Sequence, residues 1–132
     1  MKEELKNQLI NTLSQRESIL FAYLFGSRVT NFITPMSDID IAVYLNTNAN
    51  ISQERLGLIG DLMTTLKTDD IDLVILNSAP LTLKARIILK KDILIDKSPP
   101  LRHSFESLVM RQYYDFSLKE NNIFKRRYPV GR

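Results

Sequence analysis

The stretch Ser37-Asp38-Ile39-Asp40-Ile41-Ala42-Val43-Tyr44-Leu45 decides the fold, because it reads only one way as a strand. Strand side chains alternate between faces, so Asp38 and Asp40 share one face, their alpha carbons roughly 6.6–7 Å apart. Ile39, Ile41, Val43 and Leu45 form an unbroken apolar set on the other face, which seeks a core. A second stretch, Asp70-Ile71-Asp72-Leu73-Val74-Ile75-Leu76, repeats the pattern. Asp70 and Asp72 share the face continued by Val74 and Leu76, opposite Ile71, Leu73 and Ile75. Between the two stretches Ser52 can open a helix, and Leu56, Ile59, Met63 and Leu66 follow at helical spacing. Two strands joined by a helical crossover run parallel and start on the same edge of the sheet. Carboxylates from both strands therefore gather at one end.

The rest of the chain extends this unit. Residues 18–25 are apolar, aromatic-rich and end at Gly26, which reads as a buried strand. Only a dozen residues separate it from the Asp38 strand, which leaves an antiparallel pair as one of two options, and that option would set Gly26 beside Asp38. Leu5, Leu9 and Leu13 place one apolar stripe on a helix over residues 2–17. Pro80 stands where a helix reaching Lys91 can begin, Ile93 to Ile95 makes a short last strand, and Pro99-Pro100 precede a long helix from about Leu101 to Phe124. The expected fold is α/β (α+β): a small mixed sheet of about four strands flanked by helices, with a long C-terminal helix, in a single domain over 1–132 whose catalytic core covers about 18–95.

Composition narrows the chemistry. The chain of 132 residues has no cysteine and one histidine, which removes thiol nucleophiles, disulfides and zinc clusters and leaves little room for a His-based metal site. Charged residues precede any apolar stretch at the N-terminus, so no secretory signal is expected there, and no apolar run approaches the roughly 18 residues of a membrane helix. A cytoplasmic protein with no membrane partner is the expectation. Of the net charge of +3, the segment 101–132 holds seven Lys/Arg against three acids, while the preceding residues hold eleven against twelve. A near-neutral body with a basic end is no nucleic-acid stripe, and Lys125-Arg126-Arg127 reads as a solvated helix end.

Several aspartates converging at one sheet end repel one another unless a cation lies between them. Oxygen-only ligands suit Mg²⁺, or Mn²⁺, and a metal pair of that kind clamps a phosphoryl transfer. Gly26-Ser27 supplies the anion half: glycine lets a phosphate approach the backbone, the following amides and the Ser27 hydroxyl can donate to it, and Arg28 can add a charge contact. With four glycines in all and no Gly-Lys-Ser/Thr, the chain has no Walker loop.

Gly26-Ser27, ten intervening residues and Asp38-Ile39-Asp40 resemble the signature of the polymerase-β-type nucleotidyltransferase superfamily, and Asp72 in Asp-Ile-Asp-Leu-Val resembles its third carboxylate. The small size, the lack of a substrate lobe and the long last helix are similar to the minimal nucleotidyltransferases (MNT, or MntA-like), the antitoxin halves of HEPN–MNT toxin–antitoxin pairs. The resemblance implies Mg²⁺-dependent transfer of AMP from ATP to a tyrosine hydroxyl of a partner HEPN ribonuclease. In it Gly26 and Ser27 hold the triphosphate, Asp38 and Asp40 ligate both metals, and Asp72 completes one metal site and helps deprotonate the hydroxyl. The chain departs from many relatives at Asn31, where they carry glycine; asparagine tolerates a left-handed backbone nearly as well.

Plainer readings stand beside these. Asp38 alone could cap a turn, Ser27 a helix, and Asp70 is the fallback third ligand. His103 is expected to be partly exposed on the last helix, and Tyr113 and Tyr114 to pack against the core or a partner. Phe105, Leu108, Val109, Gln112, Phe116 and Ile123 form a side of that helix expected to dock a partner. Two other functions compete: nucleotidyl transfer to a small molecule such as an aminoglycoside, and a catalytically idle module that acts by binding alone.

Overall fold

The computed structural model describes residues 2–26 and 39–127. Among the described residues four helices and four strands follow in the order α1 (Lys2–Ser14), β1 (Ile19–Phe25), β2 (Ile39–Leu45), α2 (Ile51–Leu66), β3 (Ile71–Ile75), α3 (Leu81–Leu89), β4 (Asp92–Asp96) and α4 (Pro99–Arg127). The strands form one mixed sheet in the order β3-β2-β1-β4. β1 runs antiparallel to both β2 and β4, while β2 and β3, joined by α2, are parallel. The α/β layer expected from the sequence is therefore the observed one.

Each sheet face buries its own core. Ile39, Ile41, Val43 and Leu45 of β2 meet Leu9 and Leu13 of α1 and Leu58 and Leu62 of α2. Phe21, Tyr23 and Ala42 meet Ala85, Ile87 and Ile88 of α3 and Val109 of α4 on the opposite face. There Phe21 stacks on Tyr44 at 4.8 Å and 8°, and Phe105 of α4 closes edge-on against Tyr44 at 5.2 Å. Such aromatic pairs contribute roughly 0.5–1.5 kcal/mol each beyond their burial.

Element ends follow local chemistry and correct the sequence reading in detail. α2 is capped by Asn50, whose side-chain oxygen accepts from the Gln53 N–H at 3.2 Å, rather than by Ser52. Its inward stripe is Leu58 and Leu62 with Ile59 and Leu66 beside them; Leu56 is 74% exposed. α4 takes Pro99 and Pro100 into its first turn, where a missing N–H costs nothing. It runs through Arg127, so Lys125-Arg126-Arg127 belong to the helix, three residues past the expected end at Phe124. Its buried side is Leu101, Arg102, Phe105, Val109 and Tyr113, while Leu108, Tyr114 and Phe116 are exposed. Tyr114 therefore does not pack in the core. His103 is exposed and lies 3.0 Å from the Arg102 guanidinium.

A polar knot ties α4 to the sheet. The Tyr23 hydroxyl donates to Glu106 Oε2 at 2.5 Å, and Arg102 bonds Asp96 at 2.8 Å and Glu106 at 3.2 Å. Lys91 adds an ion pair to Glu106 at 3.3 Å. Burial raises the Glu106 carboxyl, but the Tyr23 hydrogen bond, Lys91 and Arg102 outweigh it and hold Glu106 below its ordinary value. Burial first, then the bond to Glu106, pushes the Tyr23 phenol well above the usual tyrosine range.

Candidate active site

Strand register brings two of the expected acids together. Asp40 of β2 is the register partner of Asp72 of β3. Neighbouring strands lie about 4.8 Å apart, and register partners point to the same face. That face is the α3/α4 side, because Ala42 and Tyr44 continue the Asp40 parity, and Val74 and Leu76 the Asp72 parity, into the second core. Asp40 is half-buried and Asp72 exposed. Like charges set side by side on a sheet disfavour the fold unless something bridges them.

Gly26 completes the arrangement from β1. Phe25 pairs with Asp40, so the chain leaves β1 beside the Asp40 carboxylate. Gly26 has φ +80°, a left-handed backbone that L side chains rarely adopt. A Cβ placed there would overlap Asp40 Oδ2 and come within 3.0 Å of its Cγ. Glycine is thus required twice, once by the backbone and once by the acid lying against it. The sequence reading assigned the position to an approaching phosphate; the structure adds Asp40 as the immediate neighbour.

The remaining expected residues divide into two groups. Asp70 stands just before β3, exposed, with its backbone carbonyl accepting from the Ile39 N–H at 2.9 Å. It lies one pleat behind Asp72 on the same parity. Ser27, Arg28, Asn31 and Asp38 lie outside the described residues. Among the described residues no group of three His, Cys, Asp or Glu side chains could hold a metal ion. The pair Asp40 and Asp72 still fits a hard divalent cation, since Mg²⁺ is commonly held by one or two carboxylates and keeps several waters. Beyond Asp72 an open groove of about 410 Å³ follows β3, lined by Arg55 and Ile51 of α2 and by Pro80 and Leu83 at the start of α3. No sequence pattern announced that groove, because it is made by two helix beginnings flanking a sheet margin.

Comparison with known proteins bears on this geometry. The family model described as polymerase beta nucleotidyltransferase matches residues 7–100. No curated protein matches the chain in sequence. Among solved structures, a toxin–antitoxin complex with AMP-PNP aligns at 28% identity and TM-score 0.75, covering 92% of this chain and 96% of that one. An MNT antitoxin in complex with tri-AMPylated HEPN toxin from Shewanella oneidensis aligns at 26% and 0.72, covering 96% and 98%. The MntA–HepT toxin–antitoxin aligns at 26% and 0.70, covering 94% and 97%. Among the described residues no helix is long and apolar enough to cross a membrane. With a family match over most of its length and a sheet that sets Asp40 against Asp72 beside Gly26, the chain belongs to the polymerase beta nucleotidyltransferase family and is a nucleotidyltransferase.

Proposed function

We propose that this nucleotidyltransferase is an antitoxin that transfers AMP from ATP to a tyrosine hydroxyl of a cognate HEPN-type toxin and thereby silences it. The observation that carries the reading is the Asp40–Asp72 register pair beside Gly26. Similarity to antitoxins crystallised with AMP-PNP and with an AMPylated HEPN toxin supports the choice of donor and partner.

In this reading the triphosphate lies over the backbone at Gly26, with Ser27 and Arg28 donating to its outer phosphates. Asp38, Asp40 and Asp72 form an oxygen-only set for two divalent cations, Mg²⁺ in the first instance. When bound, such ions neutralise charge on the phosphates and make the α-phosphorus more open to attack. Asp72 accepts the hydroxyl proton as the tyrosine oxygen bonds to the α-phosphorus. The bond from that phosphorus to the β-phosphate oxygen breaks, and pyrophosphate leaves with its electron pair. In this reading the domain binds the donor, and the toxin itself presents the acceptor.

The test is direct. Wild-type protein incubated with ATP, Mg²⁺ and a cognate HEPN-type protein should add the mass of AMP to that protein and stop its ribonuclease activity. Asp40→Asn should abolish both effects while complex formation persists. Toxin silenced equally well by Asp40→Asn would overturn the enzymatic reading in favour of steric cover.

A further inference from the structure

Margins of a sheet carry backbone groups that no neighbouring strand satisfies, and this sheet has two such margins, β3 and β4. β4 is blunted. Its pairing with β1 shifts register between Ala22 and Tyr23, and its first residue, Asp92, is tied to Lys6 of α1 by an ion pair at 3.0 Å. β3 instead runs in unbroken register along β2, from Ile39 opposite Ile71 to Val43 opposite Ile75. Bonds from Ile39 N–H to Asp70 O and from Leu76 N–H to Val43 O show that the even-numbered backbone groups face β2. Those of Ile71, Leu73 and Ile75 therefore point away from the sheet. Two of the three carbonyls are taken. Leu73 O accepts from Arg55 Nη1 at 2.8 Å, and Ile75 O accepts from the Ser78 N–H at 3.3 Å. The Ile71 carbonyl and all three N–H groups find no partner among the described residues.

The groove of about 410 Å³ follows this margin and is lined from both sheet faces, by Ile51 and Arg55 on the α2 side and by Pro80 and Leu83 on the α3 side. A ligand confined to one face would use half of it. A strand laid against β3 would use all of it, because its side chains alternate between the faces while its backbone bonds the margin. We propose that the β3 margin is a strand-addition site for an extended segment of a partner protein, one with alternating aliphatic residues and a lysine or arginine at the Asp70 end. On the α2 face the added residues would neighbour Ile71, Leu73 and Ile75, which favours β-branched and aliphatic side chains. On the other face they would neighbour Asp70 and Asp72, both exposed, where the opposite charge is favoured. A second copy fits poorly. Two-fold antiparallel pairing centred on Ile71 or Asp72 would set Asp70 against Asp72, or Asp72 against its own copy. Centred on Leu73 or Val74, it would call on the carbonyls that Arg55 and Ser78 hold in both copies. Strand addition involves no step of nucleotidyl transfer, so the two stand or fall separately.

The probe is the peptide acetyl-Lys-Val-Thr-Val-Thr-Val-Lys-amide, with valine on one face and a lysine at either end. Titrated to saturation into isotope-labelled full chain, it should slow hydrogen exchange at the Ile71, Leu73 and Ile75 N–H groups at least fivefold. Asp72 and Val74, whose N–H groups already bond β2, should change less than twofold. An added strand turns one of its own edges to β3. Of two forms, one N-methylated at the valines and one at the threonines, one should therefore bind at least tenfold more weakly and the other within threefold of the parent. No saturable binding up to the solubility limit, or equal binding by both methylated forms, would overturn the inference. A peptide with glutamates for lysines that binds as well as the parent would overturn the charge assigned to the partner. Protection of the same three amides without peptide, growing with protein concentration alongside a dimer in sedimentation, would give the margin to a second copy and overturn the stated occupant.

Discussion

Replacing Gly26 by alanine tests the site from its backbone outward. The left-handed φ of +80° costs an L residue about 1–2 kcal/mol. The new methyl would also meet the Asp40 carboxyl, with Cγ at 3.0 Å and Cβ at 3.3 Å, so the acid must swing out of its rotamer for roughly another 0.5–1.5 kcal/mol. A total near 2–3 kcal/mol corresponds to a melting temperature lower by roughly 6–15 °C for a domain of this size. The protein should stay folded at 25 °C, yet a carboxylate displaced by about 1 Å should slow transfer about 100-fold. Calorimetry and initial rates of AMP transfer read the two effects separately. In an Asp40→Ala background the same glycine substitution should cost only the backbone part, because the clash is gone. A Gly26→Ala enzyme with a rate within threefold of wild type, or equal destabilisation in both backgrounds, would refute the contact between Gly26 and the acid as the reason for glycine.

Asp72→Asn should melt no lower than wild type without metal, since it removes one of two adjacent negative charges, but should lose the stabilisation that Mg²⁺ confers on the wild type in thermal shift. Leu62→Ala should cost about 2–5 kcal/mol in denaturant unfolding, whereas Leu56→Ala should stay within about 0.5 kcal/mol, because only Leu62 is buried. Asn50→Ala should cost about 1 kcal/mol through the lost α2 cap, measured the same way. Glu106→Gln gives a pH signature. Because the folded pKa of Glu106 is lowered, its stabilisation is fully present above the ordinary glutamate value and is lost as pH falls through the folded value. The gap in melting temperature between wild type and Glu106→Gln should therefore be widest near neutrality and shrink toward zero in acid.

What could be read from the sequence was what short-range pattern controls. The parity of Asp38-Ile39-Asp40 and Asp70-Ile71-Asp72 assigned each residue to a face, and the helical connection required β2 and β3 to run parallel. Selection of the buried arc of α2 was beyond that reach. Its apolar positions wrap roughly 160° of the helix at about 100° per residue, so stripes through Leu56 or through Leu58 and Leu62 fit equally until α1 and the sheet choose. Arg102 and Glu106 are spaced for an ion pair on a helix surface, and nothing local shows that the surface turns inward to meet Tyr23 and Asp96. The Gly26–Asp40 contact joins residues fourteen apart through strand pairing, and the β3-margin groove depends on two helices beginning on opposite faces; both are tertiary facts.

The alignment of Asp40 with Asp72 also acts as a proofreading device. A slip of one residue between β2 and β3 would send an aspartate toward Leu58 and Leu62, and an unpaired carboxylate there is penalised by several kcal/mol. Mispaired molecules would be loose, exposed to proteolysis and short-lived. Copies that survive are those whose acids already face the correct way, so the abundance of well-folded protein tracks the abundance of competent protein. A cell that kept this chain in a fixed ratio to a dangerous partner would gain from having both quantities set by one pairing.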